Sequence, residues 1–413
     1  MFHSDFAAAS QPHDCGNGNT LTVYQYENSA AALPEITAWE SELIRDGFAA
    51  YQINEIVGNH FATYTRGDEM VHCEYFPACG EFRVVTGPRP YLPDPVTDFE
   101  SRVTPSVSII GMTENVECLV LQLEDGSFIG IDGGFAASGP QCKKLNAGKE
   151  NEREVRYYRD VEKDMETTYR FMKDRTPDGG KPRVIWMISH ADPDHTNLAA
   201  RFFKEYADKI RLSMIVTNFP NLYNIGLGTG TSPNDPKEMT SYGENFIASA
   251  KTNFPDVKHY IYHTGEKLYL PGCVCEFLMT AGEDMWPGVM PWMNHTSGVW
   301  RFHIQGKKVM VPGDAETGIC DKLVAVFGDY LQSDVLQTNH HGANGATLPF
   351  YEHIDPTVCL WPCQQYHLDY DRRQTGTSDH YLFNRFLRNS PKVIAHLSNS
   401  ETHTVLLPSL EIL

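Results

Sequence analysis

Four metal-ligating side chains, His190, Asp192, Asp194 and His195, fall within the short run Ser189-His190-Ala191-Asp192-Pro193-Asp194-His195-Thr196-Asn197. The run follows an apolar strand pattern, Val184 to Ser189, and precedes a helical one, so a turn there aims alternate side chains into one space. Imidazole and carboxylate together suit Zn, Fe or Mn, with no thiolate to select otherwise. Asp and Ser also cap helices, but a cap needs one such residue. Convergent carboxylates with nothing to bind would repel each other.

Three other pieces end on chemistry of the same kind. Val311-Pro312-Gly313-Asp314 closes a strand on a carboxylate, and Thr338-Asn339-His340-His341-Gly342 closes another on paired imidazoles, where glycine lets backbone approach closely. Ile131-Asp132-Gly133-Gly134 ends a third strand. A buried aspartate there more often orients a ligand imidazole than binds metal itself.

The elements that must position these residues are strands alternating with helices from about residue 103 onward. Runs 106–112, 117–123 and 127–134 read as strands, with Asp125-Gly126 as a hairpin turn between the last two. A helix carries Val161, Met165, Tyr169 and Met172 on one face, and another carries Leu198, Phe202, Phe203 and Tyr206. Later strands are 299–304, 307–312, 334–339 and 357–361. Two long irregular stretches interrupt them, Leu222–Gly243 and Ala281–Met293, and stretches of that kind serve as lids or binding loops.

Before this region lies a different pattern. The chain has 413 residues, more than one hydrophobic core usually serves, and two units are expected: 1–100, a small N-terminal α+β domain, and 103–413. Residues 1–20 are polar and read as frayed. Pro34 suits the first turn of a helix with Ile36, Trp39, Leu43 and Ile44 at helical spacing and Gly47 as its C-cap. Alternating runs 48–53, 60–65, 70–76 and 81–86 read as hairpin strands. Four prolines between Gly87 and Asp98 mark the boundary. The N-terminal unit reads as an accessory, packing or dimerisation element, so a homodimer is one expectation.

With 34 Lys+Arg against 53 Asp+Glu, the net charge is −19. That sign argues against long nucleic acid and anionic lipid, though a bound metal pair reverses it locally for a small anionic substrate. No run of about 18 apolar residues exists to span a membrane. The start shows neither a basic leader nor an apolar segment, which reads as soluble and cytoplasmic. Ten cysteines are too few for a disulfide scaffold. Cys273 and Cys275 alternate within a strand pattern and read as half-buried sheet residues in a reducing compartment; Cys142 and the rest show no close partner.

In order, Ile-Asp-Gly-Gly, His-x-Asp-x-Asp-His, strand-Gly-Asp and His-His-Gly resemble the motif series of the metallo-β-lactamase fold, over residues 103–413. Asn294 through Glu316 followed by His340-His341-Gly342 is similar to the hydrolase domain of ComEC-type competence proteins, which also carry Asp at the second motif position. The resemblance implies an α/β fold, a four-layer αββα sandwich, with two divalent metal ions, Zn first and Mn or Fe as alternatives. It implies His190 and Asp192 on one metal, Asp194 and His195 on the other, Asp314 bridging, and His341 as the terminal ligand, with His340 facing substrate. The remaining His-type position falls to Asn294, or else His295; His259, His263 and His303 are weaker candidates, each read first as a surface or sheet residue. Asp192 in place of the commoner His shifts preference away from zinc.

Such a site implies a metal-dependent hydrolase, with a metal-bridging hydroxide attacking a phosphoester or phosphodiester, Asp194 steering the nucleophile and His340 acting as acid or oxyanion partner. Trp286 and Trp292, with Tyr223, are placed on the long loops to bind substrate, or else to fill loop interiors. Two other classes stay open: a di-iron redox protein of the same fold, and a non-catalytic binding protein.

Overall fold

The computed structural model describes residues 2–113, 116–136, 160–224, 235–288, 290, 292–342, 345–365, 368 and 379–413. Cys142 and the middle of the first long loop, 225–234, lie outside them.

The chain begins with three strands, β1 (Ala7–Ala9), β2 (His13–Gly16) and β3 (Asn19–Tyr26), then α1 (Ser29–Arg45), then the meander β4 (Ala49–Ile56), β5 (Asn59–Arg66), β6 (Glu69–Phe76) and β7 (Glu81–Pro88). The sheet order is β1-β3-β7-β6-β5-β4, with β2 paired to β3. The expectation of a frayed start is therefore corrected. Gly16, Asn17 and Gly18 all take positive φ, at 97°, 56° and 78°, which is what a tight hairpin turn between β2 and β3 requires. Phe2 is buried between Tyr24, Trp39 and Phe82.

Helix α1 is capped by Asn28, whose side chain accepts from the Ala30 N–H, and Gly47 follows its end at φ 91°. Ile36, Trp39 and Leu43 bury against the sheet, while Ile44 is half exposed. Pro34 sits inside the helix rather than in its first turn, because Asn28 starts the helix earlier than the proline suggested.

After the proline-rich segment come β8 (Ser106–Ile109), β9 (Leu119–Gln122), β10 (Phe128–Ile131), α2 (Val161–Asp174), β11 (Arg183–Met187), α3 (Pro193–Glu205), β12 (Arg211–Val216), α4 (Pro236–Asn253) and β13 (Lys258–Tyr260). Next are β14 (Lys267–Leu270), β15 (Cys273–Thr280), α5 (Ala281–Asp284), β16 (Gly298–Ile304), β17 (Lys307–Val311), α6 (Thr317–Phe327), β18 (Val335–Gln337), α7 (Leu348–Ile354), β19 (Val358–Trp361), α8 (Asp379–Asn389), β20 (Ala395–Ser398) and β21 (His403–Leu406). Both long stretches read as irregular thus carry some helix: Pro236–Gly243 opens α4, which Asp235 caps, and α5 opens the other.

These strands form two sheets, β13-β12-β11-β10-β9-β8-β21 and β14-β15-β16-β17-β18-β19-β20. Alternation along each strand builds the layers. Ile129, Ile131, Leu119 and Leu121 face Cys275, Phe277, Trp300 and Phe302 between the sheets. Phe128, Val120, Val184 and Trp186 face α2, α3 and α4 on the first sheet's outer side. On the second sheet's outer side, Met310, Leu336 and Cys359 face α6, α7 and α8. The result is a four-layer αββα sandwich, the arrangement of the metallo-β-lactamase fold. Cys273 and Cys275 belong to the central core and are buried, more deeply than expected.

Candidate metal centre

The four motif segments follow the carboxyl ends of parallel strands: β10 and β11 in one sheet, β17 and β18 in the other. That is where an α/β sheet leaves a crevice. The stacked sheets bring these strand ends together at one edge.

On the first sheet, Asp132 takes φ 50° and is fully buried. Its Oδ1 accepts from the Ser189 backbone N–H at 2.8 Å, and its Oδ2 accepts from the Ser189 hydroxyl at 2.8 Å and from His195 Nδ1 at 2.8 Å. The Ser189 hydroxyl, having donated to Asp132, accepts from His190 Nδ1 at 3.0 Å. Gly133 has no room for a side chain, since a Cβ there would lie 2.4 Å from the Ala199 Cβ on α3. The Leu198 N–H donates to the Gly134 carbonyl at 2.9 Å, so Ile-Asp-Gly-Gly holds the helix that presents Asp194 and His195.

On the second sheet, Gly313 takes φ 56° and its N–H donates to Gln337 Oε1 at 3.0 Å. His340 and His341 both take left-handed backbone, φ 47° and 56°. Such positions cost about 1–3 kcal/mol each and persist where surrounding structure holds them. Here the His340 N–H donates to the Gly313 carbonyl and His341 Nδ1 donates to the Pro362 carbonyl, each at 3.0–3.1 Å.

All three histidines thus spend Nδ1 on the protein and turn Nε2 inward. His195 Nε2 lies 3.3 Å from Asp314 Oδ2, His341 Nε2 lies 3.5 Å from that oxygen and 3.3 Å from Asp194 Oδ2, and His190 Nε2 lies 4.0 Å from Asp314 Oδ2 and 3.4 Å from Asp192 Oδ2. Two ligand triplets result, His190-His195-Asp314 and Asp194-His195-His341. His190 Nε2, His195 Nε2, His341 Nε2 and Asp314 Oδ1 are buried and make no hydrogen bond. Orphaned buried groups are costly, and this set of imidazole and carboxylate donors fits a metal cation.

The electrostatics agree. Burial opposes charge on Asp314, yet His341, His195 and His340 hold its carboxyl well below the usual range. Burial likewise opposes charge on His195 and His341, but Asp314 and its neighbouring carboxylates hold both imidazoles well above theirs. The pocket favours positive charge at those nitrogens.

Among the other expected site residues, Asn294 reaches the cluster, its amide nitrogen 3.0 Å from His340 Nε2 and 3.5 Å from Asp314 Oδ2. His340 stands 3.7 Å from Asp314 and 3.7 Å from Glu316, whose carboxyl is pushed up to about 7 by burial and by Asp314. His295 is partly buried with Nδ1 unpartnered. His259, His263 and His303 pair elsewhere, with Thr217, Glu283 and Glu276. Trp286 stacks on His13 of β2, ring centroids 3.6 Å apart, which ties its loop to the N-terminal sheet. Trp292 and Tyr223 are exposed. Tyr223 lines a cleft of about 630 Å³ bounded also by Asn17, Ala191, Asn221 and Glu244.

Glu117 went unnoticed in the sequence. It is fully buried beside Asp132 and His195, and its Oε2 accepts from Gln337 Nε2 at 2.9 Å. Because Gln337 also holds Gly313, this pair links the two sheets beneath the cluster. A lone Glu before an apolar strand carries no spacing signal.

No protein-family model and no curated protein matches the chain. Among solved structures, CmlA, a diiron β-hydroxylase from Streptomyces venezuelae, is 10% identical over 74% of this chain and 55% of its own, with TM-score 0.39. The chain therefore spans little more than half of CmlA. YhfI, a metallo-β-lactamase fold protein from Bacillus subtilis, is 11% identical over 71% of this chain and 95% of its own, with TM-score 0.39. At such identities and scores, the architecture rests on the strand order and layers of this chain itself.

Proposed function

We propose that the chain is a binuclear metal-dependent hydrolase acting on a small phosphoester or phosphodiester. The observation that carries this reading is the convergence of three buried, unpartnered imidazole Nε2 atoms on Asp314, each with its Nδ1 already committed. His190, Asp192, His195 and Asp314 would hold one ion; Asp194, His195 or Asp314, and His341 the other. Two divalent ions there would supply an acidified water and polarise the oxygen under attack.

The chain's own groups do the rest. Asp132 keeps His195 oriented and Ser189 passes that constraint to His190. Asp194, set beside His341, would accept a hydrogen bond from the attacking water and steer it. His340, held by Asn294, is placed to donate to the developing oxyanion or the leaving oxygen. The small anion would be drawn to this cationic cleft on an otherwise acidic surface, and the reading extends to a cytoplasmic protein, with Trp292 and Tyr223 as substrate contacts.

A second reading keeps the same ligands around two irons and assigns redox chemistry; the carboxylate of Asp192, a hard oxygen donor, is what favours it. Elemental analysis together with hydrolysis of bis(p-nitrophenyl) phosphate separates the two. At least two equivalents of Zn or Mn, with turnover abolished by Asp314→Asn, support the hydrolase. Two of iron with no hydrolysis support the redox reading. Wild-type turnover in Asp314→Asn would sink the site assignment.

A further inference from the structure

The N-terminal sheet carries a cluster that the centre described above does not use. Glu40, on the core-facing side of α1, meets His60 of β5 and Cys73 of β6 across the packed face of the sheet. Ala62 pairs with Cys73 and His60 with Tyr75, so His60 and Cys73 are diagonal neighbours on one face of adjacent strands. Helix and sheet thus deliver three different ligand types to one point. We propose that this unit binds a divalent metal ion of its own, of the zinc class, through Cys73 Sγ, His60 Nε2 and Glu40 Oε1.

The three ligand atoms all lie within 4.8 Å of one another. Cys73 Sγ stands 3.6 Å from Glu40 Oε1. Tetrahedral zinc, with a sulfur bond of about 2.3 Å and an oxygen bond of about 2.1 Å, puts those two atoms roughly 3.6 Å apart. His60 Nε2 lies 2.7 Å from the same carboxylate oxygen and would have to open to roughly 3.4 Å, a small side-chain rotation.

The other ring nitrogen of His60 is taken by Glu55, a carboxylate behind the imidazole, which is the arrangement that orients a metal-bound histidine. The His60 and Glu40 side chains are 10% and 13% exposed, so solvent can reach a fourth coordination position.

Cobalt substitution tests this without reference to activity. The binuclear cluster contains no cysteine, so a thiolate-to-cobalt charge-transfer band in the near ultraviolet cannot come from it. Wild-type protein stripped of metal and titrated with Co(II) should develop that band, which stops growing once the three metal positions of the chain are filled. Cys73→Ala should abolish the band and remove one of three metal equivalents found by elemental analysis. Asp314→Ala should leave the band intact, which separates this site from the binuclear reading. His60→Gln, which keeps the thiol, should weaken cobalt binding by at least about tenfold. Absence of the band in folded, cobalt-loaded wild type would overturn the proposal, as would its persistence in Cys73→Ala.

Discussion

Asp132 Oδ2 lies 2.8 Å from His195 Nδ1 while the same carboxylate accepts both the backbone N–H and the hydroxyl of Ser189. One buried carboxylate therefore decides which nitrogen two histidines turn to the cleft. Asp132→Asn keeps the shape but replaces one acceptor oxygen with a donor, so His195 loses its tautomeric constraint. Metal affinity should fall about 10–100-fold, with turnover falling in step. Competition with a chromophoric chelator measures it; affinity equal to wild type would show that Asp132 only braces the loop.

Asp314 is the carboxylate within reach of all four histidines of the cluster, His190, His195, His340 and His341. Asp314→Asn should reduce kcat/KM for a phosphodiester by about a thousandfold and release metal. Melting temperature provides the control. In metal-free protein the substitution removes a carboxylate that balances buried imidazoles, so the variant should also melt lower than metal-free wild type. Unchanged melting would mean the imidazoles are neutral there.

What the sequence made legible follows from where the information sits. Strand ends that carry candidate ligands announce themselves, because four donors of two types in His190–His195 are more than a helix cap needs. The β4–β7 meander was visible through its alternation. The β2–β3 hairpin was missed although Gly16-Asn17-Gly18 is a strong turn signal, because β2, the strand before the turn, is only four residues long and mostly polar. Glu117 and Gln337 were invisible for another reason: 220 positions separate them, and only the stacking of the two sheets makes them partners.

The same limit applies to the polar cluster under the N-terminal sheet, which offers a test by pH. His263, fully buried, meets Glu283 at 2.9 Å and stacks on His72 at 4.8 Å. Burial opposes its charge, but Glu283, Glu266 and Glu74 raise its imidazole to about 9. Burial and His263 lower His72 to about 4. Since the folded value for His263 lies above the unfolded one, its stabilisation is complete below about pH 6.5 and is lost as pH rises toward 9. Glu74 and Asp284, both raised by burial, act in the same direction. Urea denaturation should therefore show stability falling from pH 6.5 to 9. His263→Gln should cost about 3 kcal/mol at pH 6 and flatten the slope. An equal slope in both proteins would assign the dependence to other groups.

The last prediction concerns a residue with no functional group. Gly133 sits where a Cβ would meet the Ala199 Cβ at 2.4 Å and the Ala199 backbone nitrogen at 2.9 Å. Its own φ is not left-handed, so the demand is for space between β10 and α3 and not for conformational freedom. Gly133→Ala must push α3 outward, and α3 carries Asp194 and His195 in its first turn. Overpacking of this kind costs about 1–3 kcal/mol, and the displaced His195 should also lose Asp132. Stability and metal affinity should drop together, and the compensating change Ala199→Gly, which removes the opposing methyl, should restore part of both. If Gly133→Ala lowers stability and leaves metal affinity at the wild-type level, helix position and ligand geometry are not coupled through this contact.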